Sequence, residues 1–178
     1  MSTGKVEREL HEVRRRIDRL ESQAKAGTAV GASPRIRRHI DALQEEEASV
    51  RAAAREAPDE VEERLGQLKT RLEVAERSLT ADFSADWATF LAAVEDELQS
   101  WDTYVERLQA SVTARAWKAR ERAEAAIGDV RSLRIAVDER LTEAGAGTRE
   151  SWREQRDRVG AARDELEKRA DELSAKLK

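Results

Sequence analysis

Apolar residues in this chain recur at alternating spacings of four and three. Val6, Leu10, Val13, Ile17, Leu20 and Ala24 form the first such row, and Glu and Arg fill the positions between them. That spacing lays one narrow apolar stripe along a helix and closes most other folds to the segment. The row stops at Gly27, and Gly27 to Pro34 reads as a loop. A second row, Ile36, Ile40, Leu43, Val50 and Ala54, follows Pro34 and is broken by polar Glu47. Pro34 suits a first helical turn. Pro58 restarts the pattern, with Asp59 and Glu60 where the helix dipole favours acids, and Val61, Leu65, Leu68, Leu72, Ala75 and Leu79 follow. Thr80 and Ser84 are candidate caps for a break before the next helix.

From residue 86 to 144 there is no proline and one glycine, Gly128. The row runs Trp87, Leu91, Val94, Leu98, Trp101, Val105, Leu108 and Val112, then through Ala116, Ala119, Ala123, Ile127, Val130 and Val137 to Leu141. A single helix of about 90 Å is expected at 1.5 Å per residue. The 4,4 step at Ala119–Ala123–Ile127 would relax its supercoil. Gly145 and Gly147 mark a turn, and Ser151 with Glu154 reads as a capping box for a last helix. The expected elements are helices over 4–26, 34–56 and 58–80, a long helix over 86–144, a turn at 145–148 and a helix over 149–177.

The fold class that follows is all-α: antiparallel helical hairpins in a coiled-coil-like bundle, or a compact three-helix bundle for the first half, divided at 1–80 and 81–178. Residues 6–20 align without gaps on residues 94–108, with six identities in fifteen positions, and Ile40 and Leu43 resemble Ile127 and Val130. This points to a tandem duplication of about 88 residues. A last helix near 30 residues covers only part of the expected long helix. The stretch from Trp87 to Val112 then needs a partner, either the first half of the chain or a second subunit.

Acids and bases nearly cancel, 37 against 33, so no strong field draws in nucleic acid or anionic lipid. With no cysteine, thiol catalysis and disulfides are excluded. His11 and His39 are the two histidines, each expected on a charged helix outside the apolar row, and no HExxH or phosphate-loop motif occurs. The expectation is a non-enzymatic protein with no cofactor and no metal. The polar start of the sequence and the lack of a long apolar run suggest a soluble, cytoplasmic protein.

Two clusters are candidate contact sites. Trp87, Trp101 and Tyr104 crowd one stretch with Phe83, Phe90 and Trp117, and Leu98 and Trp152 join them as candidate interaction residues. Arg115, Lys118, Arg120 and Arg122 form a basic patch, echoed by Arg14, Arg15, Arg16 and Arg19. Acids beside both basic clusters favour solvated faces over phosphate contacts. The expected partner is a second copy, as a homodimer, or another protein. Membrane-surface binding through the amphipathic helices is the first alternative and nucleic acid the second.

Glu97-Leu98 with Trp101, the row through Leu108 to Leu141, the glycine turn and Glu150-Ser151-Trp152 resemble a family of small bacterial coiled-coil proteins associated with stress responses. The resemblance covers about 80 residues of the second half. It implies a helical hairpin with a non-enzymatic stress role and carries no functional residues across.

Overall fold

The computed structural model describes residues 3–27, 33–56, 61–113, 117–148 and 151–177. The chain divides into two compact units, Met1–Phe83 and Ser84–Lys178. Unit 1 holds α1 (Thr3–Ala26), α2 (Pro34–Glu56) and α3 (Val61–Asp82). Unit 2 holds α4 (Trp87–Thr113), α5 (Trp117–Gly145) and α6 (Trp152–Leu177). Every regular element among the described residues is a helix, and each unit is a three-helix bundle.

In unit 1 the expected rows of all three helices meet in one core, from Val6 and Ile17 on α1 through Ile36 and Leu43 on α2 to Leu65 and Leu72 on α3. Each fully buried aliphatic side chain contributes about 1.5–3 kcal/mol. Cross-helix pairs give the directions. Glu9 accepts from Lys69 and Arg16 pairs with Glu76, both 60 residues apart, so α1 and α3 run parallel. Ser33 meets Asp82, His39 meets Arg71 and Arg64 meets Ser49, so α2 runs antiparallel to α3. Ser33 caps α2, its Oγ accepting from the Ile36 amide at 3.3 Å and donating to Asp82 at 2.8 Å. Arg35 also binds Asp82, which offsets an acid placed at the unfavourable end of α3. Gly27 closes α1 against the Phe83 ring; a Cβ there would lie 2.6 Å from Phe83 Cζ. Pro58, Asp59 and Glu60 and most of the expected 27–34 loop lie outside the described residues.

The break after α3 differs from the expected one. The helix runs on to Asp82, where Thr80 keeps its hydroxyl on the Glu76 carbonyl. Ser84 is buried, and Asp86 caps α4 instead, accepting from the Thr89 amide at 2.9 Å and from its hydroxyl at 2.6 Å. These bonds, chiefly the Thr89 hydroxyl, hold the Asp86 carboxyl below its ordinary range. A carboxyl depressed on folding stabilises above its unfolded pKa and loses that contribution as pH falls through the folded value. Asp86→Ala is therefore expected to lower the thermal midpoint of unit 2 at neutral pH. The difference from the unsubstituted protein should shrink steadily once pH falls below about 4. A gap of constant size down to pH 2 would contradict this role.

The single helix expected over 86–144 is two. Asp102 of α4 holds Arg134 of α5 through two bonds of 2.9 Å, although 32 residues separate them. A Cβ added at Gly145 of α5 would lie 3.9 Å from Leu91 Cδ1 of α4. In a continuous helix Asp102 and Arg134 would stand about 48 Å apart. The chain folds back because this buries both apolar rows: Val94, Leu98, Val105 and Val112 of α4, and Ala123, Ile127, Val130 and Val137 of α5. Stretch 87–112 thus has its cover, α5 and α6, within its own unit. The last turn of α4 is Ser111-Val112-Thr113, a poor helix sequence. The Ser111 and Thr113 hydroxyls bond back to the Leu108 and Ala110 carbonyls, at 2.8 and 2.7 Å, a geometry that competes with helix continuation. The expected capping box does not form: the Ser151 hydroxyl turns to the Thr148 carbonyl and Glu154 pairs with Arg158.

The two bundles share one plan. The six row positions of α1 each lie 88 residues before Val94, Leu98, Trp101, Val105, Leu108 and Val112, all buried. Ile36, Ile40, Leu43 and Val50 lie 87 before Ala123, Ile127, Val130 and Val137, also buried. Glu9 bonds to Lys69 in unit 1, and its counterpart Glu97 bonds to Arg163 in unit 2.

Candidate functional site

Unit 2 carries a buried ionic cluster. Arg163 of α6 donates through Nε to Glu97 Oε2 of α4 at 2.8 Å, and its second nitrogen stands 2.6 Å from the same oxygen. Both side chains are 2% exposed. The Trp101 indole N–H points to Glu97 Oε1 at 3.4 Å, and Glu167 is buried one turn beyond Arg163. Bringing charge into an apolar core is costly unless it is paired with good geometry. The cluster therefore fixes which turn of α6 faces which turn of α4.

Unit 1 has a smaller counterpart. Arg71 of α3 and His39 of α2 meet at 2.6 Å, 1% and 0% exposed. His39, expected outside the apolar row, lies inside the bundle, because α2 packs against both α1 and α3 and buries more than one row. Glu47, the break in the α2 row, is buried too and is neutralised by Arg51 and Arg14. His11 stays exposed.

Of the candidate interaction residues, Leu98, Trp101 and Tyr104 belong to the interior of unit 2 and offer no surface. Trp101 and Tyr104 pack edge to face with centroids 5.9 Å apart. Trp87 and Trp152 are half-buried and meet edge to face at 6.0 Å. Arg156 lies over Phe90 and Trp152 at 4.9 and 5.4 Å and donates to the Ser84 carbonyl at 2.9 Å. Around them, Ala88, Ala92, Ala146 and Gly147 are exposed, and residues 87–94 carry no charge in a chain that is 39% charged. The start of α4, the end of α5 and the start of α6 thus converge on an aromatic end of the bundle, with the Arg156 guanidinium stacked on its rings.

Of the basic patch, the side chains of Arg120 and Arg122 are described. Arg115 and the side chains of Trp117 and Lys118 lie outside the described residues. Arg120 Nε stands 3.4 Å from Glu124 and Arg122 is exposed. In the first basic cluster Arg14, Arg15 and Arg16 pair with Asp18, Glu12 and Glu76. Among the described residues no group of acids and histidines is placed to hold a metal ion, and no helix is long and apolar enough to cross a membrane. Comparison with protein-family models, with curated proteins and with solved structures gives no match for this chain.

Proposed function

We propose that this chain is a non-catalytic structural or protein-interaction module, built from two helical bundles and working through its outer helical surfaces. The observation that carries this reading is the use made of the polar groups with chemical potential. Glu97, Arg163, His39, Arg71 and Glu47 each hold another helix or an adjacent turn in place. What remains for recognition is surface, and at the aromatic end of unit 2 around Trp87 and Trp152 the first two turns of α4, residues 87–94, carry no charge. Such patches serve protein contacts.

The matched buried positions of the two bundles support an origin by duplication of about 88 residues. A cytoplasmic setting and a part in a bacterial stress response extend the same reading, the latter through the resemblance of the second half. The partner is another protein or a second copy of the chain. Photo-cross-linking tests the surface directly. A benzophenone side chain placed at Ala88 or Ala92 is expected to give discrete protein adducts in cells expressing the chain, while one at exposed Glu12 gives none. Absence of adducts at both alanine positions would overturn the assignment of this surface.

A further inference from the structure

The Arg71–His39 contact has a direct consequence for proton binding. A guanidinium has donors and no acceptor. At 2.6 Å from Arg71, His39 Nδ1 must therefore accept, so the ring is neutral and carries its proton on Nε2. A proton added at Nδ1 would remove the acceptor and set a second positive charge against the guanidinium, where both side chains are shut off from water.

The other charged groups buried in unit 1 are few. Among the described residues, α2 supplies Glu46 and Glu47, α3 supplies Arg71 alone, and α1 supplies only apolar side chains. Glu47 is engaged by Arg51 and Arg14 two turns further along α2. At the opposite side of His39, Arg35 is held by Asp82. The chain's two histidines, His11 and His39, both lie in unit 1.

We propose that the buried Arg71–His39 pair makes unit 1 acid-sensitive, so that this bundle loosens when His39 takes up a proton while unit 2 keeps its fold. Folded unit 1 excludes a proton that the unfolded chain accepts at about pH 6.5. By linkage the stabilisation is complete above that pH and is lost as pH falls below it. The unfolding equilibrium constant of unit 1 should rise about fivefold between pH 6.5 and 5.5. Loosening would expose the α1 row from Val6 to Ala24, an amphipathic surface that is sealed at neutral pH.

The tryptophans allow the units to be read apart. Trp87, Trp101, Trp117 and Trp152 all lie in unit 2, so indole fluorescence follows that unit and far-ultraviolet circular dichroism follows both. Thermal unfolding of the full chain at pH 7.5, 6.5 and 5.5 is the test. The expected result is a dichroism transition that moves to lower temperature and separates from a fluorescence transition that stays in place. His39→Gln, whose amide oxygen accepts from Arg71 without titrating, should remove the separation, and His11→Gln should leave it. A dichroism transition that does not move, or one that moves equally in His39→Gln, would overturn the proposal. Should His39→Gln fail to fold, the imidazole nitrogen shifts of the unsubstituted protein decide. An Nε2–H tautomer at pH 7.5 supports the mechanism, and an Nδ1–H tautomer or an imidazolium ring refutes it.

Discussion

Arg163→Met is expected to destabilise unit 2 by about 3–5 kcal/mol, the usual result of removing one member of a buried ion pair. Methionine keeps most of the side-chain length but has no donors. It leaves the Glu97 and Glu167 carboxylates in the interior without the guanidinium that now meets Glu97 at 2.6 Å. Urea unfolding followed by indole fluorescence measures the loss, and Trp101 reports from beside the cluster. Adding Glu97→Leu should recover a large part of it, because an apolar pair of similar volume often replaces a buried ion pair without penalty. A loss below about 1 kcal/mol for Arg163→Met would place the pair in the class of hydrated surface bridges.

Leu72→Ala gives the second large effect. Leu72 is fully buried on α3 within the core shared with α1 and α2. Large-to-small changes at such sites cost about 2–5 kcal/mol, according to how far the cavity collapses. The loss belongs to unit 1, so circular dichroism should show an early transition while the fluorescence midpoint keeps its value. Equal shifts in both signals would mean that the bundles unfold as one cooperative body.

Two helix boundaries of unit 1 are legible because a residue marks each. Gly27 stops α1 and Pro34 opens α2, and the row positions of both helices are buried except Ala54, which is partly buried. The turn near Gly145 and Gly147 was legible for the same reason. The reversal between α4 and α5 was hidden. No proline or glycine marks it, and the apolar row continues across it with a change of step. Its signal is local and weak, the Ser111-Val112-Thr113 end of α4, and the gain that drives it is tertiary: two rows cover each other.

The buried polar groups were partly readable. Val159, Arg163, Leu166, Ala170 and Leu173 keep the 4,3,4,3 spacing, so an arginine stands in the row itself, as Glu47 does between Leu43 and Val50. A charge at a row position signals a cross-helix partner. His39 and Arg71 lie on neighbouring rows, which are buried only because each helix of a three-helix bundle faces two others. Of the aromatic candidates, Trp101 and Tyr104 are core because they sit toward the middle of α4, while Trp87 and Trp152 reach the surface because they open their helices.

The central claim is that each bundle covers its own apolar rows. Residues 84–178 produced alone test it most directly, by circular dichroism, urea unfolding and light scattering across a concentration series. The prediction is a chain that is helical and unfolds cooperatively at concentrations where light scattering shows a monomer. A chain that is largely unfolded, or that folds only as it associates, would mean that the α4 row finds its cover outside the unit and that unit 2 is not a self-sufficient bundle.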